Sequence, residues 1–175
     1  MKHLITLLVS VSAMFALANE QEQPLVIFPE IPKDEYCLAL NIYHEARSEN
    51  LAGMYAVSDV VLNRVESSRY PDTICDVVHQ AVLSKWHLEE RGKEVPIRNK
   101  CQFSWYCDGK SDAPTDMDSW YQSRLVANQM IKLSLFRGIT EGATHYHANY
   151  VDPSWRKSFH STGRIGSHIF YRADR

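Results

Sequence analysis

Glu45 is the side chain whose position is most suited to chemistry. It stands in the run Asn41-Ile42-Tyr43-His44-Glu45-Ala46-Arg47-Ser48-Glu49. Leu38, Ile42 and Glu45 recur at i, i+4 and i+7, which places them on one helix face, and the other two are apolar. A carboxylate drawn out of water without partners is costly, so its pKa rises and it keeps its proton near neutral pH. A retained proton is what a general acid needs to break a glycosidic bond. Helical glutamates are mostly exposed, however. Spacing alone therefore favours a surface Glu45, or one paired with Arg47 or Arg64. Glu49 lies one turn further, with its Cβ about 5–6 Å away if the helix continues. Two-acid glycosidases set their carboxylates on opposite sides of the scissile bond. Two acids on one side of one helix do not, so Glu49 is read as a partner that shapes the substrate site, or as a solvated helix end.

A second group of candidates is imidazole. His145-x-His147 points two rings to the same face of a strand, because side chains alternate with a period of two. With His168 on a neighbouring strand they could form a zinc site. No HExxH pattern accompanies them, and His44-Glu45 lacks a second histidine four residues on. The reading adopted is no metal and no cofactor, with one histidine contacting substrate and the other packed.

Cys37, Cys75, Cys101 and Cys107 are even in number and lack paired C-x-x-C spacings, so two disulfides are expected rather than zinc. Cys101 and Cys107 flank five residues and can close a small loop, which leaves Cys37 for Cys75. Disulfides imply an exported protein. The N-terminus agrees: Met1-Lys2-His3 is basic, Leu4 to Leu17 is mostly apolar, and Ala16-Leu17-Ala18 fits a signal-peptidase site. Residues 1–18 are therefore expected to be a signal peptide, with the mature chain starting at Asn19 in the periplasm or outside the cell. The apolar run is shorter than the ~20 residues a membrane span needs. With 19 Lys+Arg against 21 Asp+Glu and no basic run, nucleic acid is excluded as a partner.

The elements that must position these residues follow from periodicity. Residues 19–35 contain Pro24, Pro29 and Pro32 and read as an extended arm, and 36–175 as one catalytic domain. Helices are expected over Lys33–Ser48, and over Asn50–Val65 with Met54, Val57, Val61 and Val65 on one stripe. Asp72 is expected to cap a short helix at 73–80. A longer helix should start at a cap on Asp116 or Asp118 and stop near Gly138. Residues 84–100 read as an exposed loop. Residues 143–148 and 165–171 are β-like and can pair antiparallel across the Pro153–Gly163 loop. The fold class is α+β, dominated by helices, with a small antiparallel β element.

Several ordered motifs resemble the SleB/CwlJ-type cell wall hydrolases, which include spore cortex-lytic enzymes. They run from Cys37–Arg47 through Gly53, Ala56-Val57, Val61–Val65, Tyr70-Pro71 and Ile74–Val78. They continue through Cys101-Gln102-Phe103-Ser104-Trp105 and Asp108-Gly109 to Gly142–Ala148, Pro153-Ser154-Trp155 and Ile165–Tyr171. The resemblance covers about residues 36–171. It departs from the family's E-A-R-G-E pattern at Ser48, where the family usually has glycine. It implies a lysozyme-like helical fold around a cleft, action on peptidoglycan glycan strands, and Glu45 as the catalytic acid.

The expected reaction is cleavage of the β-1,4 bond between N-acetylmuramic acid and N-acetylglucosamine. No second acid is evident, so the muramoyl 6-hydroxyl is the expected nucleophile and the product a 1,6-anhydro sugar, although attack by water stays open. Gln102, Ser104, His145, His147 and Asn149, with Glu49, are the candidate substrate contacts; Asn63 and His168 are read as structural. The expected protein is a monomer. The rival readings are a zinc amidase or peptidase built on His145, His147 and His168, and a secreted wall-binding module without activity.

Overall fold

The computed structural model describes residues 30–173. The expected signal peptide and most of the expected arm lie outside the described residues. Among those residues, no helix is long and apolar enough to cross a membrane.

Helix α1 (Lys33–Ala46) begins after Pro32, at the residue where it is expected. Asp34 and Glu35 sit in its first turn, where they complement the helix dipole. Its stripe is as read: Leu38 and Ile42 are fully buried. Helix α2 (Leu51–Val65) starts at Asn50, whose side chain accepts from the Gly53 amide. A short turn joins α1 to α2, and Val57 and Val61 bury completely in the core they share with α1. Helix α3 (Ile74–Val78) is capped by Thr73 rather than Asp72. The Thr73 hydroxyl accepts from the Asp76 amide and donates to the Asp76 carboxylate, which the Asp72 side chain, one residue further out, does not do. The Cys37–Cys75 disulfide ties α1 to α3.

The segment 84–100 is not a loop. It forms helix α4 (Lys85–Arg91) and strand β2 (Pro96–Cys101), which pairs antiparallel with β1 (Ala81–Leu83). Ser84 caps α4, and Gly92, in the left-handed region at φ 59°, ends it. None of α4 is buried, so the charges that read as loop are the solvated surface of a short helix. A 3₁₀ turn, Ser104–Cys107, follows β2 and is closed by the Cys101–Cys107 disulfide.

Helix α5 (Met117–Leu133) is capped by Asp116 and packs along α1. It stops at Ser134, four residues before Gly138, because Ser134 itself takes the left-handed conformation that ends the helix. Residues 134–144 then form turns fixed by Asp59. That carboxylate, fully buried on α2, accepts from the amides of Gly138 and Thr140, the Thr140 hydroxyl, and Arg137. Asn63 completes the network by donating to Thr140 Oγ1 and the Ala143 carbonyl, so it is structural, as read. The second sheet has the order β3 (His145–Ala148), β5 (His168–Arg172), β4 (His160–Ile165), all antiparallel, with His145 opposite Tyr171 and His147 opposite Ile169. Strand β4 takes up the end of the expected connection between the two β segments.

Candidate active site

Glu45 occupies the last turn of α1, partly buried. Its pocket holds about 200 Å³ and is lined by Arg64, Cys101, Gln102, Phe103, Ser104 and Tyr146. Four segments therefore meet there: α1, α2, the disulfide-closed turn after β2, and β3. The Tyr146 hydroxyl donates to Glu45 Oε2 at 3.1 Å. Burial raises the Glu45 pKa, while that hydrogen bond and the charge of Arg64 pull it down; the net direction is upward. Tyr146 is itself held well above its usual pKa by burial and by Glu45, so it stays a neutral donor.

Arg64 is the cation of the site and is 3% exposed. Its Nε donates to the Thr144 carbonyl at 2.8 Å, and its guanidinium lies 5.4 Å from the centroid of the Tyr70 ring and 5.2 Å from that of Phe103. With its amide oxygen turned inward, Gln102 accepts from both Nη atoms, at 3.3 and 3.2 Å. Burial pushes the Arg64 pKa down, and the neighbouring Tyr146, Tyr70 and Glu45 oppose it. Arginine keeps its charge in such settings. The pocket thus presents a desolvated acid, a fixed hydroxyl donor to that acid, and a fixed positive charge that can stabilise its conjugate base. A larger cavity of about 460 Å³, lined in part by Glu66, Arg69, Glu141 and Arg172, shares no residue with it. The Glu45 pocket combines an acid of raised pKa with a polar lining.

Of the other candidate contacts, Gln102 and Ser104 line the Glu45 pocket, and the rest do not. Glu49 turns away. Its Oε2 accepts from the Ser167 amide at 3.0 Å, and its side chain is only 10% exposed. Two glycines make room for it. A Cβ on Gly166 would fall 2.1 Å from Glu49 Oε2, and one on Gly53 would fall 2.8 Å from Glu49 Cβ. His145 and His147 share a face of β3, as their spacing requires, but it is the face opposite Tyr146. There they pack with Trp155 and, in the case of His145, Phe159. His147 Nδ1 donates to the Ala148 carbonyl, and its Nε2 accepts from the Tyr171 hydroxyl at 3.0 Å. Burial, helped by Arg64 and Arg69, lowers the His145 pKa to about 4. His168 lies on the Tyr146 face, with ring centroids 5.1 Å apart, and its Nδ1 is 3.8 Å from Glu49. The three imidazoles therefore do not converge on one point. Asn149 is exposed just past β3.

Arg64 and Tyr146 were not singled out in the sequence as site residues, yet both had a signal. Val57, Val61 and Arg64 repeat the i, i+4, i+7 spacing of Leu38, Ile42 and Glu45, so a cation falls on a buried stripe just as the acid does. Tyr146 lies between two histidines in a strand and must point to the other face.

A helical domain that holds one desolvated acid over a polar cleft, with a small antiparallel sheet as the opposite wall, is of the lysozyme-like class. The family model for the cell wall hydrolases matches residues 48–171, and the chain belongs to that family. The matched stretch contains Arg64, Gln102, Ser104 and Tyr146 and begins three residues after Glu45. In structure the chain is similar to the catalytic domain of the germination-specific lytic transglycosylase SleB from Bacillus anthracis. The identity is 21%, 82% of this chain and 98% of that one are covered, and the TM-score is 0.51. It is also similar to the catalytic domain of the Bacillus cereus SleB protein, at 20% identity, covering 83% and 94%, with a TM-score of 0.49. No curated protein sequence matches the chain.

Proposed function

We propose that the protein is an exported lytic transglycosylase that cleaves the β-1,4 bond between N-acetylmuramic acid and N-acetylglucosamine, with Glu45 as acid and then base. The carrying observation is the Glu45 pocket: an acid with a raised pKa, bonded to Tyr146 and facing buried Arg64. Membership of the cell wall hydrolase family supplies the substrate, and the two disulfides support export.

In the first step the Glu45 carboxyl gives its proton to the glycosidic oxygen. The bond to the muramoyl anomeric carbon breaks, and the glucosamine leaves with a new 4-hydroxyl. The Glu45 carboxylate left behind is stabilised by the Tyr146 hydroxyl and the Arg64 charge, both already in place. Positive charge at the anomeric carbon needs a nucleophile. None of the other residues lining the pocket is a carboxylate, and Glu49 is engaged by Ser167 between two glycines. Intramolecular attack by the muramoyl 6-hydroxyl closes the 1,6-anhydro ring, and the carboxylate takes the hydroxyl proton. The acid is regenerated and no water is consumed.

Mass spectrometry of products from purified sacculi tests this reading. Anhydromuramoyl ends are expected. Reducing muramic acid ends in their place would make the enzyme a hydrolase using water, and intact strands with released peptides would overturn the glycosidase assignment. Activity that survives a chelator separates the reading from a zinc amidase.

A further inference from the structure

We propose that a cavity beside the Glu45 pocket, lined by chain neighbours of its residues, binds the charged peptide stem of peptidoglycan. The inference rests on the glycan-cleaving reading above. This cavity holds about 310 Å³ and is lined by His44, Arg47, Trp105, Asp108, Lys110 and Asp112, among others. Two pairs of chain neighbours divide between the two pockets. Glu45 and Ser104 line one, and His44 and Trp105 line the other. The two cavities therefore lie side by side, and the His44 ring stacks on Trp105 at the edge of the second, with centroids 4.6 Å apart and planes at 16°. That places the second cavity within reach of a substituent on a sugar held at Glu45.

The chemistry of the second cavity suits a charged ligand better than a sugar. Trp105 is 7% exposed, one of its faces is covered by His44, and its indole nitrogen donates to Asn41, so it offers no open platform for a pyranose ring. Charge, by contrast, is available. Arg47 lies over the Tyr43 ring at 4.9 Å, and among the described residues its guanidinium makes no hydrogen bond or ion pair. His44 Nε2 donates to the Asp112 backbone carbonyl at 3.0 Å, which leaves the Asp112 carboxylate with no hydrogen bond or ion pair among the described residues. Asp108, in contrast, is engaged by Lys110 through both its amide and its ammonium. One uncommitted cation and one uncommitted anion on the same cavity fit a zwitterion. The glycan backbone carries hydroxyls and amides, and the charges of peptidoglycan sit on its stem peptide. A diamino acid of that stem carries both a carboxylate for Arg47 and an ammonium for Asp112.

The probe is the free stem tripeptide L-alanyl-γ-D-glutamyl-diaminopimelate, titrated calorimetrically into the wild type, Arg47→Ala and Asp112→Asn. Neither residue belongs to the core, and unchanged melting temperatures verify the fold. Each variant should weaken binding about tenfold, the equivalent of one charge-assisted hydrogen bond. In parallel, the ratio of kcat/KM on intact sacculi to kcat/KM on strands stripped of stems should fall in both variants. A wild type that does not bind the tripeptide, or variants that bind it equally well, overturns the proposal. Arg47-dependent binding by a protein that cleaves no glycan would leave this site standing and refute the transglycosylase reading instead.

Discussion

Glu45 and Glu49 stand four residues apart, yet they occupy opposite kinds of surroundings. Glu45 faces a cleft, where burial raises its pKa and its partners are a tyrosine hydroxyl and a nearby arginine. Glu49 sits past the end of α1, folded into a cradle of two glycines, with a backbone amide bonded to it. The first carboxyl is left with space in front of it and a reason to hold its proton. The second has its space filled, and it joins the α1–α2 corner to the β4–β5 turn. Neighbouring acids of one type thus divide into one available for chemistry and one committed to architecture. The divider is the end of α1 at Ala46, which takes Glu49 off the helical face that Glu45 occupies.

The largest loss is expected at Glu45. Glu45→Gln keeps the shape and can still accept from Tyr146, but it has no proton to transfer. The rate of sacculus lysis should fall by about 10²–10⁴-fold with the fold intact by circular dichroism. Near-normal lysis would remove Glu45 from the mechanism. Next in size is the anchor at the far end of the same helix. Reducing Cys37–Cys75, which links residues 38 apart, should cost about 2–4 kcal/mol and lower the melting temperature. Unchanged melting in reductant would show that α1 needs no such tie.

The Glu49 side is sharpened by Gly166→Ala. The new methyl would stand 2.1 Å from Glu49 Oε2, at a φ of 59° that side chains avoid. Overpacking of this kind costs about 1–3 kcal/mol, with about 1 kcal/mol more for the left-handed backbone. Chemical denaturation should show the loss, and a stability equal to the wild type would mean that the cradle is loose. Glu49→Gln is milder. It keeps an acceptor for the Ser167 amide and loses the charge, so it should cost about 1 kcal/mol of stability and less than tenfold in rate. A folded Glu49→Gln with no activity would return Glu49 to the chemistry.

Much of this was legible in the residues. The stripe Leu38–Ile42–Glu45 had its orientation written in spacing, and α1 and α2 appear within two residues of the expected bounds. The disulfide pairing followed from the short loop at Cys101–Cys107. What could not be read was which distant groups would meet. Tyr146 is 101 residues from Glu45, and the Ser167 amide is 118 from Glu49; both contacts depend on where the second sheet lands on α1 and α2. The local errors have local causes. Strand β2 has no buried residue and pairs only with a three-residue edge, so it lacks the apolar alternation that marks a strand. Ser134 ended α5 early because the turns after it are held by Asp59, a buried acid that looks like any helical aspartate in sequence.

The smallest expected effect tests the cause assigned to the Glu45 pKa. Folding raises that pKa, chiefly by burial. Below the ordinary carboxylate range the group is protonated in both folded and unfolded chains and contributes no pH dependence. As pH rises through that range, the unfolded chain releases its proton while the folded one retains it, so the wild type loses stability until the raised value is passed. Above it the loss is constant. The amide introduced by Glu45→Gln never ionises and avoids this loss. The melting temperature of the variant minus that of the wild type should therefore increase with pH across this window and then level off. A difference that falls with pH would mean that the Tyr146 hydrogen bond and the Arg64 charge outweigh burial. The carboxyl would then be ionised in the resting enzyme, with no proton to give to the glycosidic oxygen, and the distinction drawn between the two glutamates would have to rest on space alone.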